Sequence, residues 1–137
     1  MRNQKPILLV EDDHVDAMTV KRAFRDIRVS NAIVHLENGE EALRYLRAEN
    51  QPKPAIILLD LNMPRMNGIE FLDVVKNDLQ LRSIPIVVLT TSTEYNDRTE
   101  SFQYSVAGYM VKPVIYSEFV DMIQTISTYW SNSELPE

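Results

Sequence analysis

The chain has 137 residues, 45% of them hydrophobic and 25% charged, with a formal net charge of -6 and no cysteine. That length and hydrophobic content suit one domain with one core, and the acidic balance sets the chain against a phosphate backbone, so no nucleic-acid binding is expected. Without cysteine there are no disulfides, thiolate nucleophiles or Cys-based zinc sites, and His14 and His35 alone make a poor metal set, so any metal must be held by oxygen.

No run of about 18 apolar residues is present to span a bilayer. The acids Glu11, Asp12 and Asp13 interrupt the N-terminal stretch MRNQKPILLV before a signal-peptide core could form, so a cytoplasmic protein without membrane contact is expected.

The first strand is expected at Ile7-Leu8-Leu9-Val10, and it ends on Glu11-Asp12-Asp13. Asp13 is well placed to N-cap the first helix, with Asp16 three residues on in a capping-box position. Helical spacing continues through Val15, Met18, Ala23, Phe24 and Ile27. A second strand is read around Ile33-Val34-His35-Leu36, and a second helix from Ala42, Leu43 and Leu46. The third apolar run, from Ile56 to Leu59, has no alternation, which suits a strand covered on both faces, although so short a run also fits a buried helix. It stops abruptly on Asp60, either a solvated strand end or a reactive group. Pro64 and Asn67-Gly68 then mark a turn before a third helix carrying Ile69, Leu72, Val75 and Leu79. A fourth strand runs from Ile84 to Leu89 and closes on Thr90, followed by a weaker helical stretch from about Asn96 to Tyr104. Tyr109-Met110-Val111 reads as a fifth strand, with Lys112-Pro113 directly after it. The last helix carries Phe119, Ile123, Ile126 and Trp130 as a single stripe. Residues 131–137 read as a frayed tail, leaving residues 1–130 as the domain.

Strand and helix alternating five times imply a mostly parallel sheet with right-handed crossovers and helices on both faces. If the strand order is 2-1-3-4-5, the first and third strands flank a topological switch point, and Glu11, Asp12 and Asp60 share its crevice. Crowded carboxylates repel, and a divalent cation resolves the conflict. Magnesium takes one or two carboxylates, several waters and a phosphate, which matches this set better than the fuller cage of calcium. Thr90 and Lys112 would bring a hydroxyl and an ammonium to the same edge. A carboxylate nucleophile, a metal, a cation and a hydroxyl donor are sufficient for phosphoryl transfer, which needs mainly positioning and charge neutralisation.

The segments LLVEDD, LLDLNMPRMNG, VVLTTS and GYMVKP, in this order, resemble the receiver domain of two-component response regulators, and the resemblance covers nearly the whole chain. It implies an α/β fold of the flavodoxin-like, CheY-like kind: a five-stranded parallel sheet of order 2-1-3-4-5 flanked by five helices. It implies Asp60 as phosphoacceptor, Asp12 and Asp60 as direct magnesium ligands, the backbone carbonyl of Asn62 as another, and Glu11 as a ligand through water. Lys112 would pair with phosphoryl oxygens and Thr90 would hydrogen-bond one of them, while Tyr109 would be an aromatic switch moving with Thr90. The Lys112-Pro113 bond would be cis.

Such a protein is a phosphorylation switch rather than an enzyme with a separate substrate, although it assists its own magnesium-dependent phosphorylation and dephosphorylation. A histidine kinase would donate the phosphoryl group. No output domain is read in the sequence, so the signal is expected to leave through protein contact. LTTS and the aromatic ending TYW resemble the single-domain regulators that pair with bacterial phytochromes. Thr91 departs from the smaller residue that receivers often carry beside the Thr, and its bulk could narrow access to the phosphoryl group and slow turnover.

Two rival readings are weaker. A hydrolase of the haloacid dehalogenase type shares the aspartyl nucleophile but needs a second Asp two residues on, and Asn62 stands there. A docking module independent of phosphorylation would have no use for the intact acids. His14 is expected on a solvent-facing helix surface, and core packing and switching are compatible roles for Tyr109. Tyr95, Tyr104, Tyr116 and Tyr129 fall off the core stripe, and exposed aromatics favour interfaces. A partner or homodimer surface is therefore expected on the face of the fourth helix, fifth strand and fifth helix.

Overall fold

The computed structural model describes residues 5–132, apart from the side chains of residues 131 and 132. Apolar runs without alternation form the middle of a sheet. β1 (Ile7–Val10), β3 (Ile56–Leu59) and β4 (Ile86–Thr90) are buried along their whole length, as strands covered on both faces must be. β2 (Ile33–Leu36) and β5 (Gly108–Val111) are partly exposed edges. The order is β2-β1-β3-β4-β5 with every pairing parallel, which is the order the resemblance implied.

Successive strand residues point to opposite faces, so the sheet builds two cores. On one face Leu8, Val10, Ile57, Leu59, Ile86 and Val88 meet α2 (Gly39–Arg47) and α3 (Gly68–Lys76) through Leu43, Phe71 and Leu72. On the other, Ile7, Leu9, Ile56, Leu58, Val87 and Leu89 meet α1 (His14–Asp26) and α5 (Tyr116–Asn132) through Val20, Phe24, Phe119, Ile123 and Trp130. α4 (Tyr95–Gln103) differs from the rest. Ser101 is its only buried residue, and its N-cap, Glu94, makes no side-chain capping bond.

Several expectations shift in detail. The buried stripe of α1 is Ala17, Val20, Ala23 and Phe24, whereas Val15 and Met18 are exposed. Leu79 is also exposed, because α3 ends at Lys76 and the chain has already turned. Asp13 caps α1 by accepting from the backbone N–H groups of Val15 (2.9 Å) and Asp16 (3.0 Å). The reciprocal half of the capping box is missing there, since the N–H of Asp13 faces Glu11 Oε2 at 3.4 Å and the Asp16 carboxylate is engaged elsewhere. A complete box instead starts α3, between Asn67 and Glu70.

No cis peptide bond occurs among the described residues, so Lys112-Pro113 is trans rather than cis. The trans form is the intrinsically favoured one, and the N–H of Lys112 still reaches Thr90 O at 2.8 Å, in line with the ladder that Pro113 then ends. Of the expected tail at 131–137, residues 131 and 132 instead close α5, which ends at Asn132, and residues 133–137 lie outside the described residues. No helix among the described residues is long and apolar enough to cross a membrane.

Two backbone positions generate stability predictions. A Cβ on Gly68 would lie 2.6 Å from Leu61 Cα and 2.7 Å from the carbonyl oxygen of Asp60, so α3 can start this close to the loop only on a glycine. Gly68→Ala should therefore lower unfolding free energy by about 1–3 kcal/mol, the usual cost of overpacking, as measured by urea denaturation. At the other end of α1 the N–H of Val29 bonds Phe24 O and the N–H of Arg28 bonds Arg25 O, a Schellman closure that holds Arg28 at φ 62. A side chain there costs roughly 1–2 kcal/mol of steric strain, partly offset by the extra unfolded-state entropy of glycine, so Arg28→Gly should stabilise by about 0.5–1 kcal/mol in the same assay.

Candidate functional site

The pairing of β1 with β3 sets Val10 beside Leu59, so the residues that follow each strand emerge next to one another. Backbone bonds fix both exits: the N–H of Asp60 donates to Val10 O at 3.0 Å and that of Glu11 to Leu36 O at 3.0 Å. One oxygen each from Glu11, Asp12 and Asp60 lies within 4.8 Å of the others. Glu11 and Asp60 are buried and Asp12 is partly exposed, so the cluster forms a crevice open on one side. This is the switch point between β2-β1 and β3-β4-β5, where α/β sheets bind ligands.

Lys112 reaches the crevice from the end of β5. Its ammonium donates to Glu11 Oε1 at 2.5 Å and to Asp16 Oδ2 at 3.2 Å, with its side chain only 9% exposed. Burial pushes Glu11 up to about 7, against the pull of Lys112, and the nearby Asp60 adds to the rise. Burial works against the Lys112 ammonium too, but Glu11, Asp60 and Asp16 outweigh it and hold its pKa above the usual lysine value. The donor set is three carboxylates with no nitrogen or sulfur, and their convergence suits a hard divalent cation.

Thr90 is fully buried at the end of β4, and its Oγ1 accepts from the backbone N–H of Ser92 at 3.3 Å. The carbonyl of Ser92 accepts from the Tyr109 hydroxyl at 3.0 Å, and the Ser92 hydroxyl donates to Asp97 Oδ2 at 2.6 Å. Ser92 thus joins Thr90, Tyr109 and the first turn of α4. Tyr109 is partly buried against the core as well, so packing and contact with this loop coexist in one residue. Asn62 is exposed in the loop after β3, and Thr91 is exposed beside Lys112 on the wall of a cavity of about 470 Å³.

The sequence-predicted residues Glu11, Asp12, Asp60, Lys112 and Thr90 therefore gather at one edge, and Tyr109 reaches it through Ser92. His14 stays outside, exposed and paired with Glu37 at 2.9 Å. Three contributors escaped the sequence reading. His35 Nε2 donates to the carbonyl of Glu11 at 2.6 Å and so fixes the backbone of the acidic loop. Ser92 carried no signal beyond its place two residues after Thr90. Asp16 was visible only as a capping-box candidate three residues after Asp13, which carries no sign of its contact with Lys112.

Residues 7–124 match the response regulator receiver domain. The probable methanogenesis regulatory protein FilR2 of Methanothrix harundinacea is 38% identical over 90% of this chain and 82% of its own. Response regulator Rcp1 of Synechocystis sp. is 35% identical over 92% of this chain and 88% of its own. The crystal structure of the Mn(2+)-bound form of Rcp1 matches with a TM-score of 0.88 at 35% identity, over 97% of this chain and 99% of that one. The phosphorylated cyanobacterial phytochrome response regulator RcpA matches with a TM-score of 0.91 at 36% identity, over 98% of this chain and 100% of that one. With the five-stranded order and the acidic crevice already in place, these likenesses give one conclusion: the chain belongs to the response regulator receiver domain family.

Proposed function

We propose that Asp60 is the phosphoacceptor of a magnesium-dependent switch, charged by the phosphohistidine of a histidine kinase. The observation that carries the reading is the convergence of Glu11, Asp12 and Asp60 within 4.8 Å beside a buried lysine. An Asp60 oxygen attacks phosphorus, the donor nitrogen leaves, and an acyl phosphate results. Asp12 and Asp60 would hold the cation directly, Glu11 through water, and Asn62 through its backbone carbonyl. The cation supplies neutralisation of the charge on the transferring oxygens. Lys112 swings toward the new phosphoryl oxygens and Thr90 turns its hydroxyl to one of them. Its exchange of partners tugs on Ser92, and Tyr109, hydrogen-bonded to the Ser92 carbonyl, follows. The same residues would assist later hydrolysis, with Thr91 restricting the approach of water. The likeness to RcpA, a cyanobacterial phytochrome response regulator, favours a phytochrome-type kinase as donor.

The signal would leave through the α4-β5-α5 face, as contact with a second copy or a target protein. Tyr95, Phe102, Val111 and Tyr129 are exposed on these elements. The other two tyrosines of the sequence reading are committed within the domain. Tyr104 packs on the core and donates to Asp73 Oδ1 at 3.0 Å, while Tyr116 donates to Asp26 Oδ2 at 2.6 Å beneath the Arg22 guanidinium.

Acetyl phosphate with magnesium should add one phosphoryl group that is stable in acid and labile in base, read by intact mass. Asp60→Asn should abolish it; wild-type stoichiometry in that variant would move the acceptor elsewhere. For the output face, Tyr95→Ala and Phe102→Ala should each weaken association by about 1–2 kcal/mol, roughly five- to thirty-fold, in the presence of a beryllofluoride mimic. Tyr104→Ala should leave it within about two-fold, all read by sedimentation equilibrium. Equal behaviour of the three would point to another surface.

A further inference from the structure

The ammonium of Lys112 does not donate to the proposed acceptor. It sits between Glu11 Oε1 and Asp16 Oδ2, the second of these on the first turn of α1. The remaining contacts close a ring. Glu11 Oε2 faces the N–H of Asp13 at 3.4 Å, and Asp13 Oδ1 accepts from the N–H of Asp16 at 3.0 Å. Four residues, Glu11, Asp13, Asp16 and Lys112, are thereby linked end to end, and they tie the start of α1 to the end of β5. The cap holds the backbone of Asp16 at the start of α1, and its carboxylate meets Lys112 from there.

Glu11 alone would keep Lys112 in the crevice. Asp16 adds a pull directed out of it, toward α1 and the cavity of about 470 Å³ lined by Asp16, Thr19, Thr91, Lys112 and Tyr116. A phosphoryl group on Asp60 presents oxygens that compete for the same ammonium, and charge-assisted bonds of this kind are strong enough to win it. The ammonium has three donors and two are in use, so it is by moving toward Asp60, away from α1, that it gives up the bond to Asp16.

We propose that Asp16 is a positioning residue that holds Lys112 in its resting place, so that phosphorylation has to break the Asp16–Lys112 contact and open the ring at the start of α1. The proposal rests on Asp60 being the acceptor. Asp16 restrains the forward reaction and, once released, leaves its carboxylate at the start of α1 without the Lys112 counter-charge. Its carboxylate is partly exposed, with 43% of the side chain accessible, so the restraint is modest.

The test follows phosphorylation by acetyl phosphate, by intact mass, at saturating magnesium so that loss of one nearby charge is not read as loss of metal. Asp16→Asn should accelerate it about three- to five-fold, the range open to a partly exposed pair, and tighten beryllofluoride binding by a like factor. Asp16→Glu, which restores the charge, should return both toward the wild type. In the Lys112→Ala background Asp16→Asn should make no difference, because the effect passes through the ammonium. An unchanged or slower rate in Asp16→Asn would overturn the proposal, and so would an equal acceleration without Lys112, which would mean simple attraction of the anionic donor. If the wild type takes up no phosphoryl group at all, it is the acceptor assignment that fails, a result separate from these.

Discussion

Three carboxylates are brought to one edge of the sheet, with an oxygen of each within 4.8 Å of the others. Like charges so close repel by roughly 3–4 kcal/mol per pair at an effective dielectric constant of about 20. The surrounding structure is organised by the need to tolerate that repulsion without removing it. Glu11 meets it by burial, which favours its protonated form, and by the ammonium of Lys112. The acidic loop cannot relax by moving apart, since His35 grips the carbonyl of Glu11 and the ladder bonds to Leu36 and Val10 fix Glu11 and Asp60. A site only partly relieved in this way suits a further positive charge beside Asp12 and Asp60. That is the property a cation-dependent phosphoacceptor needs.

The same rigidity does not extend to the other side of the crevice. α1 and α5 pack on each other and on one core, and α2 and α3 pack on the other, whereas α4 buries only Ser101 and begins without a side-chain cap. Elements with few buried apolar contacts open at lower free energy than the core. Ser92 bonds Thr90 and Tyr109 and, through Asp97, the first turn of α4, so the proposed change at the end of β4 would arrive at the element least able to resist it. Stiffness on the acid side and weakness on the α4 side are complementary. In the proposed function, charge would be sensed where the backbone cannot yield, and shape would change where it can.

Much of this was legible in the chain itself. Continuous apolar runs marked β1, β3 and β4, because strands covered on both faces have no room for polar residues, and each run ended on a residue with chemistry to offer. Helix faces were less secure. Val15 and Met18 fitted the spacing of α1 yet face solvent, because periodicity finds an apolar stripe without saying which part of it the sheet covers. Leu79 extended the pattern of α3 past the residue where the backbone had turned. The left-handed turn at Arg28 had no signature, since glycine is the usual marker and it is absent there. Asp16 was visible only as a capping residue. Its bond to Lys112 joins residues 96 apart, and local pattern carries no information about such pairs.

That separation has a consequence for how the domain comes together. Glu11 and its counter-charge Lys112 stand 101 residues apart, and a chain made from its N-terminus displays Glu11, Asp12 and Asp60 well before the ammonium exists. Until β5 docks, the edge formed by β1 and β3 carries its acids without that lysine, and the pairing must be sustained by Leu8, Val10, Ile57 and Leu59 beneath it. Closing so long a loop costs entropy that grows only slowly with its length, while the electrostatic gain comes all at once. The counter-charge of Glu11 is therefore present only where β5 is docked, and the acids of β1 and β3 depend on the far end of the chain for it.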